Sequence, residues 1–264
     1  MGRKYALITG ATGGLGNAFA YLLAAQGYSL LLTGRKDGKL RILQMELKEK
    51  FHAIDVRIYP ADLSEVDSRN EMMQRIKHEN LPISLLANVA GVDIQKGLTA
   101  YTQGKIAFQC RVNFEAAVSL CHFAIANRAE RLEIINVASV SGIYPMPYFA
   151  IYSATKGALI SFSQALREEM KGQNVAVTVV LPGSIPTRED IKVQIKGQGL
   201  WGKLAAKSPK SVAKASLKAV RKNKRKVIIG FWNKMMRLGT FWLPTAWRLK
   251  FIAKRWSKIS KDAF

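Results

Sequence analysis

Cysteine is nearly absent: Cys110 and Cys121 are the only two in 264 residues, too few for a disulfide framework and too weakly patterned for a metal site. Each is expected to pack as a small hydrophobe, and their scarcity suggests a reducing, cytoplasmic compartment. Long apolar runs are missing as well. No stretch approaches the length of a bilayer span, and only Met1 to Lys4 precede the first strand-like segment, which leaves no room for a signal peptide. Internal repeats and Ser/Gly linkers are lacking too, so one domain is expected rather than several. Acidic residues are scarce in one region only. From Lys203 onward Asp262 is the sole acid while Lys and Arg recur through Lys261, and the net charge is +23. Charge of that size speaks of an acidic partner or surface, and its clustering splits the chain into a body, residues 1–230, and a basic C-terminal extension, residues 231–264.

What is present is a large apolar content, 48%, enough for a sizeable core. Seven short runs rich in Leu, Ile and Val recur between helical patterns: Tyr5–Ile8, Ser29–Thr33, Val56–Tyr59, Ser84–Asn88, Leu132–Val137, Val175–Leu181 and Lys226–Ile229. Helices are expected after the glycine turn (Leu15, Phe19, Leu22, Leu23), after Asp62 and Ser64, over Gln103–Ala126, over Tyr152–Lys171 and after Ser208–Pro209, where Ser caps and Pro suits the first turn. Strands alternating with helices imply an α/β fold with a doubly wound parallel sheet of about seven strands. Ligands in such sheets bind beyond the carboxyl ends of the strands. Those ends are rich in glycine and polar residues.

The first of them reads TGATGGLG, Thr9 to Gly16. Glycines between a strand and a helix let a ligand approach the backbone, and the amides of the helix N-terminus suit a phosphate. A dinucleotide is one reading and an ordinary tight turn the other. The sharpest signal is Tyr152-Ser153-Ala154-Thr155-Lys156. Tyr and Lys four apart share a helix face, and an ammonium beside a phenol favours the ionised form. That brings an otherwise weak acid towards the range useful for proton transfer. An exposed pair with no role is the alternative.

TGxxxGxG at Thr9–Gly16, NxAG at Asn88–Gly91, Asn113, Ser139, YxxxK at Tyr152–Lys156 and PGxxxT at Pro182–Thr187 occur in this order. Together they closely resemble the short-chain dehydrogenase/reductase family, from about Tyr5 to Ile229. The resemblance implies a Rossmann fold and an oxidoreductase. It gives Tyr152 the role of acid or base at the substrate oxygen and makes Lys156 its electrostatic partner and a ligand of the nicotinamide ribose. Ser139 would donate to the substrate oxygen, with Ser141 a nearby turn residue. Asn113 would hold a water leading from Lys156 to solvent. Gly10, Thr12, Gly14, Leu15 and Gly16 would meet the pyrophosphate. Asp62 and Leu63 would meet the adenine, Asp62 also reading as a helix cap. Asn88, Ala90 and Gly91 would flank the adenosine, although Asn88 also reads as a bridge between strands. Pro182, Gly183, Ile185 and Thr187 would hold the carboxamide end. A homodimer or homotetramer is the assembly the resemblance implies.

At the end of the second strand stands Gly34-Arg35-Lys36, with no acid before Asp37. An Asp or Glu there would bind a ribose 2′-hydroxyl, whereas Arg accommodates a 2′-phosphate, so NADP(H) is expected over NAD(H). Substrate walls are expected from residues 92–95, 143–149 and 184–207. Ile143, Tyr144, Met146, Tyr148, Phe149, Leu200 and Trp201 favour an apolar substrate of steroid or lipid type, while Arg188 and Lys192 are the charges within reach.

The extension reads as a basic amphipathic helix. Leu249, Ile252, Ala253, Trp256 and Ile259 form one face, and Lys250, Lys254, Lys258 and Lys261 the other. Two readings suit that apolar face: a membrane interface, or packing over the cleft or against a second subunit. Interleaved basic and aromatic residues also raise nucleic acid. The complete Tyr152, Lys156, Ser139 and Asn113 set argues against a purely nucleic-acid-binding or regulatory protein, which has no use for all four.

Overall fold

The computed structural model describes residues 3–187, 191 and 204–257. Seven parallel strands form one sheet in the order β3-β2-β1-β4-β5-β6-β7: β1 (Tyr5–Thr9), β2 (Ser29–Gly34), β3 (Val56–Pro60), β4 (Ile83–Asn88), β5 (Arg128–Val137), β6 (Val175–Leu181) and β7 (Lys226–Ile228). The order in which strands are added reverses between β1 and β4, the switch point at which doubly wound sheets open a crevice. The strand expectations hold except in β5. It starts at Arg128 rather than Leu132, because Arg128, Glu130 and Arg131 are charged and exposed and carry no β pattern, yet Arg128 pairs with Ile83 before the register shifts.

The central strands are apolar on both sides, as a sheet covered on both faces requires. Ala6 and Ile8 of β1 belong to the core under α1 (Gly14–Ala24), α2 (Asp37–Lys50) and α7 (Pro209–Arg221), where Phe19, Leu40, Leu47 and Leu217 are buried. Tyr5 and Leu7 belong to the opposite core, under α3 (Val66–His78), α5 (Ala116–Ala126) and α6 (Ala150–Glu169). Cys121 is buried there as expected, but Cys110 is exposed at the end of α4 (Gln103–Cys110), on the helix's outer side. The predicted helix over 103–126 is interrupted by a π-helical turn, Arg111–Glu115, between α4 and α5. Single π turns inside helices concentrate at functional sites.

Beyond β7 lie α8 (Phe231–Phe241) and α9 (Thr245–Trp256). On α9 the predicted apolar face turns inward. Leu249, Ile252, Ala253 and Trp256 are half-buried and Lys250 and Lys254 exposed, while Lys258, Ile259 and Lys261 lie outside the described residues.

Candidate active site

The strand-to-helix turn after β1 is shaped by what its glycines omit. Gly10 has φ +62, a left-handed value that favours glycine, and a Cβ there would sit 3.0 Å from the Ala90 backbone. A Cβ on Gly16 would lie 2.2 Å from the Gly10 carbonyl oxygen, so Gly16 is what lets α1 begin tight against the loop. Helix α1 starts with no side-chain cap and no acid in its first turn, which leaves its positive N-terminal end for an anion. Thr187 lies directly over this turn, its side chain 3.0 Å from where a Gly14 Cβ would project. The loop after β6 therefore closes on the loop after β1.

Thr9 ties this turn to the next. Its hydroxyl accepts from the Val89 and Ala90 amides at 2.9 and 3.0 Å, holding the Asn88–Gly91 loop beside Gly10. The Asn88 side chain points into the protein, donating to Asn136 Oδ1 at 2.9 Å and to the Ala117 carbonyl at 3.2 Å. Asn136 donates in turn to Ser163 at 2.9 Å. Asn88 thus acts as the strand bridge that the sequence allowed. Asp62 Oδ1 accepts from the Ser64 amide at 2.9 Å and its hydroxyl at 2.6 Å, closing the turn that leads to α3. Leu63 is buried in the core.

The catalytic candidates converge from three elements: α6, the 3-10 turn after β5 and the π turn. Lys156 is buried on α6, its Nζ 3.1 Å from the Val137 carbonyl at the end of β5 and 5.8 Å from the centroid of the Tyr152 ring. Burial lowers its pKa to about 8, against a partial upward pull from the Asp93 carboxylate. Ser139 caps a short 3-10 turn, Val140–Gly142, its hydroxyl accepting from the Ser141 amide at 3.1 Å. Ser141 itself is half-buried and serves the turn through its backbone. A Cβ on Gly142 would come 2.7 Å from the Lys156 carbonyl carbon, so the turn holding Ser139 rests directly on the backbone of α6. Asn113, buried in the π turn, accepts from the Val92 amide at 2.8 Å and donates to the Val92 carbonyl at 2.9 Å and to Thr155 at 3.2 Å. Gly91 stands between the two groups: its Cβ would fall 3.2 Å from Lys156 Nζ and 3.3 Å from Asn113 Oδ1.

Around Tyr152 the surface is aromatic. Phe149 stacks on its ring at 4.2 Å and 10°, and Trp256 of α9 stacks on Phe149 at 6.2 Å and 20°. Tyr144 shares a 2.8 Å hydrogen bond with Thr240 of α8, and Arg248 lies 5.7 Å over its ring. Beneath the loop after β6, a Gly183 Cβ would strike the buried Asn233 side chain of α8 at 2.7 Å. Val140 donates to the Pro182 carbonyl at 3.0 Å, and Ile185 packs on the core. Of the expected substrate walls, Arg188, Lys192, Leu200 and Trp201 lie outside the described residues.

Three residues escaped the sequence reading. Phe108 of α4 carries the exposed Arg35 guanidinium 5.6 Å above its ring, while Asp37 is engaged by Arg41 at 2.6 Å and does not neutralise Arg35. Buried Arg69 donates to the Leu63 carbonyl at 2.7 Å and pairs with Glu115, tying the Asp62 loop to the π turn of Asn113. Asp93 is the carboxylate that Lys156 feels. A basic residue on a polar helix and an aromatic one turn before a π turn give no sequence signal of their own.

The turn fits a dinucleotide pyrophosphate: Cβ atoms at Gly10, Gly14 and Gly16 would collide with Ala90, Thr187 and the Gly10 carbonyl, so only glycines let this loop fold tightly onto the uncapped N-terminus of α1, where backbone amides suit a phosphate. A Cβ on Gly34 would make only ordinary contact, 3.6 Å from the Thr12 hydroxyl. Among the described residues no cluster of His, Cys, Asp or Glu could hold a metal.

The model of the short chain dehydrogenase family matches residues 4–196, and the chain belongs to that family of oxidoreductases. It is 30% identical over 237 residues to an Arabidopsis thaliana protein described as 11-beta-hydroxysteroid dehydrogenase-like 2, covering 89% of this chain and 76% of that one. A solved 7beta-hydroxysteroid dehydrogenase superposes with a TM-score of 0.85 at 24% identity, covering 95% of this chain and 96% of that one. L-sorbose reductase from Gluconobacter frateurii, solved with NADPH and L-sorbose, superposes with a TM-score of 0.77 at 25% identity, covering 86% and 95%.

Proposed function

We propose that this chain interconverts a ketone and a secondary alcohol with NADP(H), acting on an apolar substrate of steroid or lipid class. The observation that carries the proposal is the stack Tyr152–Phe149–Trp256. It sets the phenol beside a buried lysine on one side and against apolar rings on the other, a site suited to an apolar ketone and poor for a sugar. The steroid dehydrogenase-like name of the Arabidopsis relative supports the same class.

When bound, the nicotinamide supplies the hydride, which no side chain can deliver. The protein handles the proton and the growing charge. In the reducing direction Tyr152 donates its phenolic proton to the carbonyl oxygen, and Ser139 donates a hydrogen bond to the same oxygen. Lys156 stabilises the phenolate left behind and holds the nicotinamide ribose. The side-chain amide of Asn113 is committed to Val92 and Thr155. A water leading from Lys156 to solvent would therefore rest on the main chain of the π turn, whose carbonyls step out of the α-helical ladder.

Preference for NADP(H) rests on Arg35. Its guanidinium is exposed, carried on Phe108 and left without Asp37 as a counter-ion, which suits a 2′-phosphate; the NADPH-bound sorbose reductase supports the same cofactor. A homodimer or homotetramer is the expected assembly, readable by sedimentation velocity. The function is tested by following NADPH consumption against steroid ketones, long-chain keto-lipids and small polar carbonyls. Turnover of the apolar classes that disappears in Tyr152→Phe is expected; turnover confined to polar carbonyls overturns the substrate class.

A further inference from the structure

The apolar face that suited either a membrane or the cleft is the one α9 turns inward, yet the extension presents a second apolar surface to water. Along α8 and its C-cap, Phe231, Met235, Leu238 and Trp242 follow at i, i+4, i+7 and i+11, the spacing of a single helix stripe. All four are exposed, Phe231 by 65% and Trp242 by 82%. The opposite side of α8 holds the buried Asn233 and the half-buried Arg237 and Thr240. On α9 the outer face combines Trp247 and Phe251, exposed by 70% and 68%, with Lys250 and Lys254. Residues 231–257 include no Asp or Glu.

The geometry points to α8 and α9 as a docking surface for an anionic lipid bilayer, with the outward aromatic side chains at the headgroup boundary and the lysines on the lipid charge. Indole rings and cations interleaved on one exposed helix face match that boundary, where the aromatic body is apolar and its surroundings polar. Charge decides between occupants. A second copy of a chain carrying +23 would set like charge against like, whereas an anionic leaflet attracts each lysine near it. Nucleic acid would satisfy the cations and leave Met235 and Leu238 facing phosphate. Docking is on the surface: no described helix is long and apolar enough to cross a membrane.

The inner sides of the same helices touch the candidate active site through Thr240–Tyr144 and Trp256–Phe149. Docking would therefore place the Tyr144–Phe149 loop at the lipid surface, where an apolar ketone is concentrated. This second step rests on the reductase reading; the docking itself does not.

The test is co-sedimentation of the full chain with phosphatidylcholine vesicles, with and without phosphatidylserine. It is run beside a Trp242→Glu, Trp247→Glu, Phe251→Glu variant whose melting temperature is checked against the parent. The expected result is binding to the anionic vesicles at least about tenfold tighter than to the neutral ones, weakened by salt, accompanied by a blue shift of tryptophan emission and lost in the triple variant. Tyr152→Phe is expected to bind vesicles like the parent even if it turns over nothing, so failure of docking and failure of the reductase reading remain distinguishable. No binding to anionic vesicles, or equal binding by the triple variant, overturns the proposal. So does a parent oligomer that the triple variant dissociates without any vesicle binding, or salt-sensitive binding to duplex DNA tighter than to vesicles.

Discussion

Lys156 keeps its ammonium where little water reaches it, and its stability cost has a definite sign. The folded pKa is about 8 against 10.5 for the free side chain, because burial penalises the charged form. Below pH 8 both states carry the proton and the fold bears the penalty. Between pH 8 and 10.5 only the unfolded chain holds it, so stability rises with pH there. Urea unfolding across that window should show the parent gaining about 3 kcal/mol that Lys156→Met does not gain. Tyr152→Phe removes the proton donor and leaves the ring stack, so kcat should fall by roughly a hundredfold or more, with NADPH affinity by fluorescence titration retained. Arg35→Asp replaces a cation by an anion facing the 2′-phosphate. Its ratio of NADPH to NADH affinity should drop by about tenfold or more, and an unchanged ratio would remove Arg35 from cofactor choice.

At the scale of elements, the site is assembled by contacts between loops that are far apart in sequence. The Ser139 turn sits on α6 because Gly142 lacks a Cβ; Gly142→Ala forces the two backbones apart and should destabilise by about 1–3 kcal/mol, with a larger loss in kcat than in cofactor affinity. The Asn88–Asn136–Ser163 chain joins β4, β5 and α6 below the site. Asn136→Ala removes one hydrogen bond from each neighbour while Asn88 keeps the Ala117 carbonyl and Ser163 the Leu159 carbonyl, a cost of about 1 kcal/mol per bond readable as a lower urea midpoint. The strand-end loops were legible because glycine and polar clusters stand out after apolar runs. The π turn was not, since Arg111 to Glu115 has an ordinary helical composition and its extra residue appears only where α4 and α5 meet the rest of the fold.

For the molecule as a whole, charge is distributed unevenly, with the excess on α7, α8 and α9. Self-repulsion among these elements weakens the compact state, and salt screens it over about 10 Å at 0.1 M. The melting temperature should therefore rise with added sodium chloride, and hydrogen-exchange protection should increase most in residues 209–257. A uniform increase along the chain would assign the effect to something other than this clustering.

Sequence by itself determined the sheet, the order of its strand-end loops and the identity of Tyr152, Lys156, Ser139 and Asn113 as candidates. Apolar periodicity and glycine at fixed places are local and chemically expensive to mimic by chance. It also determined that α9 has an apolar and a basic face, but not which way they turn. Tertiary structure decided that. Trp256 of the apolar face stacks on Phe149, and the aromatic residues Phe231, Trp242, Trp247 and Phe251 face water. It likewise decided that Asn88 bridges strands and that Arg35 rides on Phe108. Such outcomes depend on which distant side chain occupies the neighbouring space, and a linear pattern carries no record of that neighbour.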